Sequence, residues 1–218
     1  YEVPEGSKSS RGVNAVNLLP LGEDEKIAAM IKTSDFDEGK YVVMVTKNGK
    51  IKRTALSAYK NVRKNGLIAI GLDEGDEIAG VRMTDGSAQL FVATRNGMAI
   101  RLEERSAHGV KAIKLRDGDY VVSMARVREG ASLLTVTDKG YGKRTELDAY
   151  RIQNRGGFGL LNYKTGEEKG YVCGIKVVDE TDDIILISND GIIIRIRCAD
   201  VRIMGRYATG VKVMKVAE

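Results

Sequence analysis

The chain has 218 residues, 43% of them hydrophobic and 6% aromatic, enough to bury one sound core. With 35 Lys and Arg against 30 Asp and Glu, the net charge is +5 and the pI near 9.1, a mild bias toward anionic partners. No apolar run reaches membrane-spanning length, and Cys173 and Cys198 are too few and too separated for a zinc site or a disulfide framework.

In chain order, a pattern repeats. A glycine followed by a short apolar strand opens each unit, at Gly12-Val13, Gly66-Leu67, Gly109-Val110, Gly159-Leu160 and Gly210-Val211. An acidic turn comes next, as in Asp73-Glu-Gly-Asp76, Asp117-Gly-Asp119, Glu23-Asp-Glu25 and Glu167-Glu168. A second strand follows (Ile78–Met83, Tyr120–Arg126, Tyr171–Val178), and then a hairpin. The four hairpins centre on Thr46-Lys-Asn-Gly49, Thr94-Arg-Asn-Gly97, Thr137-Asp-Lys-Gly140 and Ser188-Asn-Asp-Gly191. Asn-Gly or Asp-Gly between apolar runs signals a two-residue type I′ turn; the third copy has Lys139-Gly140 instead.

The four glycines stand 48, 43 and 51 residues apart, and four strands per unit of that length is the arithmetic of a propeller blade. The repeat units run over about 12–54, 66–102, 109–145 and 159–197, with a further one starting at 210–218. Helix-period runs are absent, so one all-β domain is expected. The second unit is short: residues 199–205 of the fourth have no counterpart after Glu104, through a shorter loop or a segment missing between Glu104 and Arg105, and the spacing favours the latter. A first residue of Tyr rather than Met suggests a piece of a larger protein.

An arginine stands four places after each hairpin glycine: Arg53, Arg101, Arg144 and Arg195. Strand side chains alternate, so these fall on the same face of every hairpin, with Lys52 and Lys143 beside them. Further cations occupy the links between units: Arg11, Arg63, Lys64, Arg105, Arg155 and Arg206. Such repetition asks for a long regular polyanion and gives a disc a basic perimeter, with acidic turns on another rim. A strand arginine could instead pair with a carboxylate of a neighbouring blade, so the linking cations are preferred as contacts to that polyanion. Gln153-Asn-Arg-Gly-Gly-Phe-Gly159 lacks the Gly-Lys-Ser/Thr ending of a P-loop, and no helix follows it; a loop whose N–H groups and Arg155 lie against a DNA phosphate fits better. His108 is the only histidine, and no catalytic or metal-binding constellation can be assembled.

Several of these stretches carry a resemblance. Tyr1-Glu-Val-Pro-Glu-Gly-Ser, Val16-Asn-Leu-Leu-Pro-Leu21, Asn65-Gly-Leu-Ile-Ala-Ile70, Gly140-Tyr-Gly-Lys-Arg-Thr145, Tyr150-Arg-Ile-Gln-Asn-Arg-Gly-Gly157 and Met204-Gly-Arg-Tyr-Ala-Thr-Gly-Val211 resemble, in order and end to end, the C-terminal domain of DNA gyrase A. The resemblance implies a β-pinwheel, a propeller-like disc of six four-stranded blades that exchange strands, about four to five of them represented here. It implies wrapping of double-stranded DNA without sequence specificity around a basic perimeter, in support of ATP-dependent negative supercoiling. The implied partners are the gyrase A breakage-reunion domain and gyrase B in an A2B2 complex, in the bacterial cytoplasm and nucleoid. It implies no catalytic residue, metal or cofactor in this domain, ATP and Mg2+ serving the parent enzyme. Of the family's box motif, Gln153, Arg155, Gly156, Gly157 and Gly159 match, whereas Asn154 and Phe158 depart from it. The true first-blade box would lie before Tyr1. The rival readings are the equivalent domain of topoisomerase IV and a propeller that binds proteins.

Overall fold

The computed structural model describes residues 4–22, 25–61 and 65–216. Its strands are β1 (Tyr41–Thr46), β2 (Lys50–Ala55), β3 (Ile78–Thr84), β4 (Gln89–Thr94), β5 (Met98–Glu103), β6 (His108–Lys111) and β7 (Val121–Arg126). They continue with β8 (Ser132–Thr137), β9 (Tyr141–Glu146), β10 (Leu160–Leu161), β11 (Val172–Val178), β12 (Asp183–Ile187), β13 (Ile193–Arg197) and β14 (Val211–Lys212). Among the described residues there is no α-helix; short 3-10 turns follow β2, β9 and β13. The fold is all-β.

The sheets do not coincide with the sequence repeats. Their orders are β3-β1-β2-β6, β10-β5-β4-β7 and β11-β8-β9-β14, with β12-β13 standing as a pair. The first three hairpins each take an inner strand from the next unit and an outer strand from the unit after that, in antiparallel pairing. The second strands form within a residue of their expected bounds, and Gly109, Gly159 and Gly210 lead into outer strands β6, β10 and β14. Gly12-Val13 and Gly66-Leu67 do not become strands. By the same donation pattern each would pair with a hairpin two units upstream, and none lies there in this sequence.

The hairpin turns differ from expectation in type. Gly49, Gly97, Gly140 and Gly191 have φ between 73° and 86°, and among the described residues no non-glycine residue has positive φ. A type I′ turn needs two such residues; a type I turn closed by one left-handed glycine needs one. The Gly49 N–H donates to the Thr46 carbonyl at 2.9 Å, and the hydroxyl of Thr46 accepts the Lys50 N–H at 3.1 Å. Thr94, Thr137 and Ser188 repeat the hydroxyl contact. This explains both the hydroxyl that opens each motif and the tolerance of Lys139 before Gly140. The glycine also lets another unit approach: Ala112 donates to the Gly49 carbonyl at 2.8 Å, and a Cβ at Gly49 would stand 2.9 Å from the Ile113 carbonyl oxygen.

The core lies between sheets. One cluster joins Val43 and Val45 to Leu90, Val92, Ile100 and Met124, and the next joins Phe91 and Leu133 to Tyr150, Tyr163 and Ile175. Tyr150 meets Phe91 edge to face at 5.1 Å, and Cys198 is buried in a third cluster. Cys173 is exposed.

Candidate nucleic-acid interface

The strand cations turn inward. Arg101 donates through Nε to Gln89 and through Nη1 to the carbonyls of Leu147, at 2.8 Å, and Tyr150, at 3.2 Å. Arg144, 4% exposed, donates from Nε to the Val201 carbonyl at 2.8 Å and lies 3.6 Å from Glu180. Each of these arginines therefore staples a hairpin to the 3-10 turn of the following unit. Arg53 has no such turn to meet, because the chain passes from β5 to β6 without one. It finds the buried Glu104 carboxylate at 3.6 Å, which also accepts the Thr84 hydroxyl at 2.6 Å and the Ala88 N–H at 3.1 Å. Lys52 donates to the Ala69 carbonyl at 2.7 Å. Lys143, 0% exposed, donates to the carbonyls of Gly205 and Arg206, each at 2.7 Å. Burial, and then the nearby Arg206, pushes its ammonium down to about 8. Lys143 and Arg144, expected on the DNA-facing perimeter, are thus corrected to interior positions. As neighbours in β9 they point to opposite faces, and each finds its partners in residues 201–206 of the following unit. Arg195 sits at the same place on the β12-β13 hairpin, is not covered by a turn among the described residues, and pairs with Asp183.

The hairpin turns carry cations as well, and the acidic turns lie against them. Asp76 accepts the Asn48 N–H and Asp119 the Asn96 N–H, each at 2.9 Å. Lys50 meets Asp73 at 2.9 Å and Arg95 meets Asp138 at 3.2 Å. Charge at this end is largely neutralised.

The links between units are different. The loop 151–157 is held along residues 101–114 by the Gln153 N–H on the Arg101 carbonyl, the Gly156 N–H on Ala112 and the Lys114 N–H on Gly157, all between 2.8 and 2.9 Å. Arg155 reaches back to the carbonyls of Ser106, at 2.9 Å, and Arg105, at 2.6 Å. Burial and the neighbouring Arg105 and Arg53 cations lower its guanidinium from the usual range. Together these residues line a cleft of about 670 Å³ with Arg151, Asn154 and Glu103, the last paired with Arg105 at 2.9 Å. Gln153 Nε2 and Arg155 Nε are buried donors without a partner among the described residues. Arg206 repeats the arrangement one unit on, donating to the Leu161 carbonyl at 3.0 Å. Arg11 is exposed, and Arg63 and Lys64 lie outside the described residues.

Five further cations join this surface, Lys111, Lys114 and Arg116 among them without a signal in the repeat. Lys111, Lys114, Arg116, Arg151 and Arg202 are exposed and form no ion pair among the described residues. Arg151-Ile152 and Arg202-Ile203 occupy equivalent places, eight and seven residues before Gly159 and Gly210, and both isoleucines are 42% exposed. Among the described residues no cluster of three His, Cys, Asp or Glu side chains could hold a metal ion.

The family described as DNA gyrase C-terminal domain, beta-propeller, matches residues 1–34, 40–85, 88–104, 105–128, 131–179 and 182–218. The chain belongs to this family. The DNA gyrase A protein of Haloquadratum walsbyi is 42% identical across 100% of the chain, and that of Escherichia coli K12 is 37% identical across 100%. The chain spans 27% and 26% of those two proteins, about a quarter of their length. The C-terminal domain of DNA topoisomerase IV superposes with a TM-score of 0.86 at 30% identity, covering 94% of this chain and 66% of that one. A gyrase A C-terminal domain superposes at 0.85 with 27% identity, covering 95% and 72%. In this gyrase-family domain the match divides between residues 104 and 105, where the 3-10 turn is lacking and Glu104 receives Arg53.

Proposed function

We propose that this domain binds double-stranded DNA along its interblade loops and bends it around the disc, in support of negative supercoiling by a parent gyrase. The observation that carries the reading is the cleft where Arg105, Arg151 and Arg155 converge, with the unpartnered donors of Gln153 and Arg155 beside them. A phosphate supplies the charge and acceptors those donors lack. Arg206 and Arg202 present a second such site one unit further on, and Arg11, Arg63 and Lys64 extend the track by sequence position. No helix is available to enter a major groove among the described residues, so contacts fall on phosphates and DNA deformability, and sequence preference is weak. Bending a site of 20–30 base pairs costs about 1–10 kcal/mol, which phosphate neutralisation must offset.

Catalysis is assigned to the parent enzyme, which would supply the breakage-reunion domain, gyrase B, ATP and Mg2+ in the bacterial cytoplasm; this domain contributes the wrapped segment and takes no cofactor of its own. The likeness to the topoisomerase IV domain supports a second reading in which the same surface serves that enzyme. Supercoiling of relaxed DNA by the reconstituted parent complex separates the two, since only the gyrase reading predicts negative supercoils.

The direct test is a mobility-shift titration on a duplex of about 100 base pairs. With about six to ten phosphates engaged, affinity falls roughly 10³–10⁵-fold between 50 and 200 mM salt. Absence of binding at 50 mM, or binding indifferent to salt, overturns the proposal.

A further inference from the structure

Phe158 stands in the box-like loop at one of the two positions that depart from the family's motif. It is 43% exposed, between two left-handed glycines, Gly156 at φ 80° and Gly159 at φ 76°. A single exposed apolar side chain is ordinary on a protein surface; what distinguishes Phe158 is its setting. Its surroundings are cationic: Lys114 Nζ lies 4.8 Å and the Arg116 guanidinium 5.8 Å from its ring centroid. Lys114 belongs to the strip along which the loop is anchored, and Arg151 and Arg155 precede Phe158 in the loop itself. The ring therefore stands beside two phosphate-seeking side chains of that strip, in a loop that carries two more. The next link repeats the theme with Tyr207, 69% exposed and 5.2 Å from the Arg206 guanidinium. The equivalents of Phe158 in the neighbouring loops are His108 and Thr209, so this ring is a local feature and not part of the repeat.

We propose that Phe158 is an apolar wedge that stabilises a kinked base step of bound duplex DNA, with Lys114, Arg116 and Arg151 holding the phosphates on either side. The inference rests on the DNA-binding reading above and adds where the bend is concentrated. Apolar side chains placed among cations commonly enter between base steps and convert smooth bending into a local kink, and stacking on an aromatic ring changes affinity by about 5- to 100-fold per base. The backbone hydrogen bonds of Gly156 and Gly157 fix the loop while leaving the ring outside the core.

The test measures affinity for two duplexes of about 40 base pairs, one fully matched and one with a single central mismatch that is easily unstacked. The unaltered domain should bind the mismatched duplex about 5-fold more tightly, because the wedge acts on a step already loosened. Phe158→Ala should lose that preference, to within about 2-fold, with the slope of log affinity against log salt unchanged. Phe158→Lys, which puts a cation in place of the ring, should bind both duplexes alike and steepen the slope by about one phosphate. Thermal unfolding of both variants close to that of the unaltered domain confirms that folding is intact, as expected for an exposed loop residue. If Phe158→Ala retains the mismatch preference, or if the unaltered domain has none, the wedge is wrong while DNA binding stands. If the unaltered domain binds neither duplex, the DNA-binding reading itself falls.

Discussion

Lys143 offers a measurement that isolates one interior contact. Its ammonium is out of solvent, held by two carbonyls at 2.7 Å and facing the Tyr163 ring at 5.2 Å, with Arg206 repelling it. The fold therefore lowers its pKa from 10.5 to about 8. Between those values the unfolded chain holds the proton and the folded one does not, so stability rises with pH across that window. From pH 7.5 to 9.5 the gain amounts to about 2 kcal/mol, approaching about 3 kcal/mol once the unfolded group also titrates. Burial pushes Tyr150 and Tyr163 up to about 12, which acts in the opposite sense but only above pH 10, where unfolded tyrosine ionises first. The assay is urea unfolding of the unaltered domain and of Lys143→Met at pH 7.5 and 9.5. The stability difference between the two proteins should shift by about 2 kcal/mol in favour of the unaltered domain at the higher pH, every other titration cancelling. A difference independent of pH would refute a buried, destabilised ammonium.

Other outcomes follow from the same geometry. Gly97→Ala places a Cβ against the Tyr163 carbonyl at φ 86° and should destabilise by about 3 kcal/mol or more, read as a lowered urea midpoint. Arg101→Ala removes the staple to Leu147 and Tyr150 and should destabilise by about 2–4 kcal/mol while leaving the salt slope of DNA binding unchanged. Arg151→Glu and Arg202→Glu should do the converse, lowering that slope by about one phosphate each with little change in unfolding temperature. Glu104→Gln should destabilise by about 1–3 kcal/mol by weakening the acceptor shared by Arg53, Thr84 and Ala88.

Much of this fold could be read in the chain. The hairpins were legible because a hydroxyl and a glycine at fixed spacing perform defined tasks, and the second strands because their apolar runs follow acidic turns. The turn type was not, since Asn48-Gly49 suits a type I′ turn as well as the single left-handed glycine that Lys139-Gly140 requires. Nor was the pairing: a short strand after Gly109 announces that it needs a partner, not that the partner is β2, two units back. The arginine repeat misled for a related reason. Alternation fixes which residues share a face but not whether that face is open, and the roof over Arg101 and Arg144 comes from residues 46 to 57 positions downstream. The interblade loops were recognisable through Gln153, Arg155 and their glycines, whereas the contribution of Lys114 and Arg116 depended on segments brought side by side by folding.

Donation of strands forward along the chain sets a timetable for synthesis. The sheet begun at Tyr41 cannot close until Lys111 has been made, and that begun at Ser132 waits for Lys212. At about 5–20 residues per second, each sheet stays open for several seconds after its hairpin emerges from the ribosome. Throughout elongation the growing chain therefore carries unpaired edges, the state most open to pairing with a neighbouring nascent chain. Assembly is forced to run in one direction, each blade sealed only by the arrival of the second unit after it.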